Sequence, residues 1–260
     1  MSKTDSVYQQ LRSHLAYLKL GAAAEALPTH LEAARTGKQG HTEFLEALLK
    51  VEVEATARRR WASMLRFASF PAPWQIDDFD FSAQPSVDQA MIRELATCRY
   101  TEDATNLLFI GPPGVGKTML AVALGHAAVD AGHRVYYTTA ADLAARCRRA
   151  ALEGRWATTM RFYSGPGVLI IDELGYLAMP AEDAAHLFQV ISRRYLKGSI
   201  ILTTNRGVSA WGDIFSDTTV AAAMLDRLLH RSVVIGIDGD SYRMRTHQAR
   251  ADKLRKQVKP

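Results

Sequence analysis

One octapeptide limits what this chain can fold into more than anything else in its 260 residues. Gly111, Pro112, Pro113, Gly114, Val115, Gly116, Lys117 and Thr118 fit G-x-x-x-x-G-K-[ST] at every fixed position. Average composition produces such a match in only about 1% of chains this long. The octapeptide follows an apolar run at 107–110 and precedes an amphipathic pattern from Met119 to about 131, so the spacing predicts strand, loop and helix in that order. The reason for the residue types is geometric. Gly111, Gly114 and Gly116 carry no Cβ, so the backbone can wrap an anion closely and turn several N–H groups inward. A helix starting near Lys117 adds its positive dipole end. Lys117 is expected to neutralise β- and γ-phosphates, and the Thr118 hydroxyl to ligate Mg²⁺. A chain built this way is expected to bind a nucleoside triphosphate, and the sequence has no Asn-Lys-x-Asp run for reading guanine.

The flanking sequence sets the fold class. Apolar runs at 106–110, 134–138, 168–172, 199–204 and 232–237 alternate with helix-length segments, the pattern of an α/β parallel sheet of five strands covered on both faces. The run at 168–172 ends in Asp172 and Glu173, at the strand edge where open α/β sheets bind ligands. Asp172 is expected to hold Mg²⁺ through water. Glu173 is expected to polarise the attacking water as a general base, which separates a hydrolase from a passive binder. Asn205, after the run at 199–204, either contacts the γ-phosphate and catalytic water or starts a turn. Arg227 and Arg231 lie four apart on a helical stretch. An arginine supplied to a neighbour's γ-phosphate is worth about 10³–10⁵ in rate; the alternative for Arg227 is pairing with acids on its own helix. Arg243 either reaches the nucleotide in cis or begins the basic tail. Phe79 and Phe81, just upstream, are candidate linings of an adenine pocket.

The first 70 residues read differently, as all helix. Leu11, Leu15 and Leu18 form one apolar stripe, Gly21 marks a stop, and a second helix covers about 22–34. After a break at 37–40, Thr42 is the expected N-cap of a long helix bearing Phe44, Leu45, Leu48, Leu49, Trp61 and Leu65. Pro71 and Pro73 end the helical region. The domains expected are therefore a helical one at 1–72, an α/β one at 73–245 and a basic tail at 246–260. Charge follows this division: residues 1–75 carry 10 Lys+Arg against 7 acids, residues 76–240 carry 15 against 19, and residues 241–260 carry 7 against 1. Basic ends on a mildly acidic body suit a polyanion partner as well as they suit solvated faces. Arg146, Arg148, Arg149 and Arg155 are the first candidates for contacting DNA, with Arg58, Arg59, Arg60 and the tail second. Cys98 and Cys147 lie far apart and no His-Glu-x-x-His occurs, so neither a disulfide scaffold nor a protein-held structural metal is expected. The N-terminus has no apolar stretch and no run approaches 18 apolar residues, so a cytoplasmic protein with no membrane span is expected.

Taken together these residues resemble an AAA+ P-loop ATPase of the initiator clade, and specifically the IstB-like transposition helpers of bacterial insertion sequences, kin to DnaC-type helicase loaders. In that resemblance Gly111–Thr118 is similar to Walker A, Asp172 and Glu173 to Walker B, and Asn205 to sensor 1. Arg227 is similar to the arginine finger, with Arg231 second, and Arg243 to sensor 2. The more specific signals are 171–176, 204–206 followed by 211–215, the early run at 18–27, and 77–81. Thr203 and Thr204 stand where serine is frequent, and Ala22 where proline often is. The resemblance implies ATP and Mg²⁺ as ligands, an oligomer assembled on double-stranded DNA, and delivery of a target site to a transposase. A helicase loader is the alternative, expected to prefer single strands; a nucleotide-gated scaffold with negligible turnover is the third.

Overall fold

The computed structural model describes residues 3–176, 178–215, 217–242 and 244. The chain divides into two compact units, 1–63 and 64–260. The first contains helices α1 (Lys3–Tyr17) and α2 (Gly21–Gly37) and most of α3 (His41–Ala68). Its core is Leu15, Ala23, Leu27 and Leu48, flanked by Tyr8, Leu20 and Phe44. The expected stripes are therefore only partly buried. Leu15 is 7% exposed, whereas Leu11 is 37% and Leu18 62% exposed, and Leu45, Leu49 and Trp61 also face outward.

Gly21 starts α2 instead of stopping α1. The stop is Lys19, in left-handed backbone at φ 60°, with the Leu20 N–H bonded to the Leu15 carbonyl at 2.9 Å. That is a Schellman closure, which usually uses glycine. Likewise Lys38, not a glycine, takes the left-handed position after α2. The buried Glu52 carboxylate accepts the Ala23 N–H at 3.0 Å and Arg59 at 2.7 Å, and these bonds hold it below the usual carboxylate range. It thereby satisfies an orphan donor in the first turn of α2.

The second unit opens with α4 (Gln89–Leu95) and then alternates: β1 (Asn106–Ile110), α5 (Lys117–Asp130), β2 (Val135–Thr139), α6 (Ala140–Leu152), α7 (Trp156–Ser164), β3 (Val168–Leu174), α8 (Ala181–Arg194), β4 (Ser199–Thr204), α9 (Trp211–Phe215), α10 (Thr218–Leu229) and β5 (Ser232–Gly236). All five strands are parallel, in the order β2-β3-β4-β1-β5. Alternate residues feed opposite faces. Leu169 and Ile171 join a core with α6, α7, α8 and α10, while Val168 and Ile170 join one built around α5. One buried charge staples the first of these layers. The Arg194 guanidinium donates to the carbonyls of Tyr163, Pro166, Gly167 and Ser199 at 2.8–3.1 Å, tying the exit of α7 to the start of β4. No helix among the described residues is long and apolar enough to cross a membrane.

The strand order matters for chemistry because β3, β4 and β1 are neighbours. Whatever follows each of them emerges at one edge of the sheet, side by side.

Candidate active site

The loop after β1 folds as its glycines require. Gly114 and Gly116 have φ of +85° and +100°, a region open mainly to glycine. Space demands glycine as well: a Cβ on Gly111 would strike the Ile237 carbonyl, one on Gly114 the Ser241 side chain, and one on Gly116 would lie 2.5 Å from the Phe79 ring. Two other segments thus press on the loop. The stretch after β5 is anchored by the Tyr242 N–H on the Gly114 carbonyl at 3.0 Å, and Phe79 is buried beside Gly116. Lys117, in the first turn of α5, donates to the carbonyls of Gly111 and Pro112 at 2.8 and 2.7 Å. Its ammonium therefore sits over the loop where an anion would lie.

The next residue connects the loop to β3. Thr118 Oγ1 donates to Asp172 Oδ1 at 3.0 Å. Asp172 is 1% exposed and also accepts from Tyr137 Oη at 2.7 Å and from Thr203 Oγ1. Burial, the bond to Asp172 and the nearby carboxylates of Asp172, Glu173 and Asp142 push the Tyr137 phenol well above its ordinary range. It therefore stays protonated, and stays a donor, at any ordinary pH. Three hydroxyls fill three of the four or so acceptor positions of a carboxylate, leaving room for one more donor. Thr118 and Asp172 are a hard-oxygen pair of the kind Mg²⁺ takes when it keeps most of its water.

Glu173 follows in left-handed backbone at φ 62°, which costs a residue with a side chain about 1–2 kcal/mol. Its side chain is exposed and lines a cavity of about 330 Å³ with 113–119, Thr203, Thr204 and Asn205. Asn205 Oδ1 is buried without a hydrogen-bond partner among the described residues. The opposite wall is aromatic and polar: Trp74, Asp78, Phe79, Asp80, Gln84, Tyr176 and Tyr242. Phe79 lines the cavity, while Phe81 packs behind it, edge to face at 4.9 Å. The structure brings together Gly111 to Met119, Asp172, Glu173 and Asn205. Sequence reasoning missed Tyr137, Trp74 and Gln84; an aromatic in an apolar strand gives no sign that its hydroxyl meets a carboxylate. Thr203 was visible only as a departure from serine.

Two arginines lie elsewhere. Arg227 donates to the Ala223 carbonyl at 3.1 Å and sits over the Phe188 ring at 4.7 Å, and pairs with no acid on its own helix among the described residues. Arg231 donates to the Asp103 carbonyl at 3.2 Å. Both precede β5, whose Ser232 pairs with Asn106 at the start of β1, whereas the glycine loop follows Ile110 at its end. The two edges are separated by the strand length, about 13 Å at about 3.3 Å per residue. Arg243 lies outside the described residues, as does the tail at 246–260.

The arginines expected to face DNA differ among themselves. Arg146 stacks over Phe162 at 4.4 Å and donates to Tyr136 Oη. Arg148 pairs at 3.2 Å with the buried Asp183, and Arg155 pairs with Glu153. Arg149 is exposed and makes no ion pair among the described residues. In the first unit Arg58 lies 3.9 Å from Glu54, Arg59 is bound to Glu52, and Arg60 is exposed.

Comparison with known proteins gives the family. Residues 13–250 match the family described as IstB-like ATP binding protein. A protein of Geobacillus stearothermophilus, named for ATP binding in insertion sequence IS5376, is 41% identical over 249 residues, 96% of this chain and 99% of its own. The corresponding protein of IS21 from Pseudomonas aeruginosa is 40% identical over 251 residues, 96% of this chain and 94% of its own. Among solved structures, a DnaC helicase loader superposes with a TM-score of 0.54 at 25% identity, covering 63% of this chain and 96% of that one.

Proposed function

This chain belongs to the IstB-like ATP-binding protein family, and from that premise we propose that it is an Mg²⁺-dependent ATPase that assembles on duplex DNA and presents a target site to the transposase of its insertion sequence. The observation that carries the hydrolytic part is the meeting of Lys117, Thr118, Glu173 and Asn205 around one cavity at one sheet edge, with the buried Asp172 hydrogen-bonded to Thr118. Lys117 and the loop N–H groups bind the β- and γ-phosphates. Thr118 and Asp172 would hold Mg²⁺, which supplies charge neutralisation on the phosphate oxygens. Glu173 takes a proton from water as that water approaches the γ-phosphate, and Asn205 orients the same water. Phe79 and Trp74 offer flat apolar surface to a base.

The assembly part is supported by position. Arg227 and Arg231 stand at the opposite sheet edge from the loop of their own chain, so either reaches a triphosphate only as a neighbour's. Nucleotide binding and assembly then become linked equilibria. Summed phosphate contacts from many copies give avidity that single arginines lack, enough to offset the ~1–6 kcal/mol needed to bend a 20–30 bp site.

Phosphate release and sedimentation velocity, each with and without duplex DNA, test this reading. ATP should drive the chain into large complexes on duplex DNA, and DNA should speed phosphate release. Preference for single strands would turn the reading to a helicase loader, for which the DnaC likeness speaks. Absence of phosphate release under every condition would leave a scaffold.

A further inference from the structure

Pairing of β3 with β4 runs regularly to Ile171↔Leu202 and resumes one step out of register at Leu174↔Thr204. Asp172 and Glu173 therefore share a single opposing residue, Thr203, which makes the strand end a β-bulge. In an unbulged strand these two neighbours would point to opposite faces. Here the chain turns at Glu173 into left-handed backbone, φ 62°, a conformation that residues with side chains avoid. Something must hold it there.

That something is one oxygen atom. The Glu173 N–H, displaced from the regular ladder, donates to Thr203 Oγ1 at 3.0 Å. The same hydroxyl gives its only proton to Asp172 Oδ1. Thr203 is 1% exposed, and a hydroxyl so deeply buried must find partners. It finds both in the two acidic residues of the site, not in its own strand. Two residues further along β4's exit stands Asn205. The two acidic residues thus meet through a single side chain, two residues before Asn205.

We propose that Thr203 is a positioning residue for ATP hydrolysis: its hydroxyl locks the bulge so that Asp172 faces the Thr118 hydroxyl while Glu173 faces the cavity. The inference rests on the ATPase reading above and assigns Thr203 no contact with the reacting atoms. It acts through the other two.

The test compares wild type, Thr203→Val, Thr203→Ala and Thr203→Ser for phosphate release, affinity for a fluorescent ATP analogue, and Tm. Valine keeps the shape without the hydroxyl, alanine removes both, and serine keeps the hydroxyl. Loss of an outer-shell partner of this kind lowers activity by about 10–100-fold, so valine and alanine should lose kcat by that factor. KM and analogue affinity should stay within about threefold, because the phosphate-binding loop is untouched. Serine should restore kcat to within about threefold of wild type. Valine and alanine variants turning over at the wild-type rate would overturn the proposal. So would a serine variant as slow as valine, or rate losses that follow falling Tm or analogue affinity. A wild-type chain that releases no phosphate removes the ATPase reading and this role together; an active wild type beside an equally active valine variant removes only the role of Thr203.

Discussion

The separation of the arginine pair from the phosphate loop gives the proposed function its sharpest test. If Arg227 completes the site of a neighbouring copy, every working site needs Lys117 from one subunit and Arg227 from the next. Arg227→Ala alone should then lose about 10³–10⁵ in rate, the worth of such a finger. Lys117→Ala alone should lose nucleotide and be equally silent. Mixed in equal amounts on duplex DNA, where the intact loops still bring ATP, the two variants take positions at random in head-to-tail contacts. Half the loops are intact and half the fingers are intact, so about one interface in four joins an intact loop to an intact arginine. Phosphate release should therefore climb from baseline to about a quarter of the wild-type rate at equal mixing, and fall off symmetrically on either side. The assay is phosphate release on duplex DNA at constant total protein across mixing ratios. A flat line at the baseline refutes the reasoning. Repeating the series with Arg231→Ala decides between the two arginines: the variant lacking the finger is silent alone and gains rate on mixing, whereas the variant keeping it is active alone and only loses rate.

Glu173→Gln should keep nucleotide affinity and accumulate long-lived DNA complexes, seen as slow dissociation in a filter or gel assay; rapid turnover in that variant would give the base to another group. Arg194→Met leaves at least the buried carbonyls of Tyr163 and Pro166 without their donor, at about 1–3 kcal/mol each. Tm should fall by about 4–24 °C, and an unchanged melting curve would show that the staple contributes nothing. Arg149→Ala should weaken duplex binding and lower the salt slope by about one, with Tm unmoved. Arg148→Ala, by contrast, strips the partner from buried Asp183 and should show first in Tm; the reverse pattern would exchange the roles of the two arginines.

The α/β unit was legible because its strands are buried on both faces, and burial writes itself as an unbroken apolar run. The runs at 134–138 and 232–237 match β2 and β5 to within one residue at each end. The helical unit was legible only as helix. A 3.6-residue stripe says which side chains share a face, not which face finds a partner. Hence Leu15 is buried while Leu11 and Leu18 on the same stripe are exposed. Lys19 and Lys38 taking the left-handed closures at Gly21 and the 37–40 break is a second limit. Nearby glycines mark a turn without fixing the residue that makes it.

The site divides along a similar line. Its phosphate loop is local: eight consecutive residues carry the fold of the loop, and the glycines at 111, 114 and 116 are each required by a φ or a close approach. Its acidic end is non-local. Asp172 and Glu173 are adjacent in sequence, yet what they can do depends on a bulge set by register with β4, on a left-handed φ at a glutamate, and on hydroxyls from Tyr137 and Thr203 on two other strands. None of these leaves a trace in the order of residues around 172. Adjacent carboxylates in a regular strand would face opposite sides of the sheet, so the sequence names the pair but not the directions in which the two side chains point. The energetics agree, because a left-handed glutamate persists only where surrounding bonds over-determine it, and the bond that does so comes from β4.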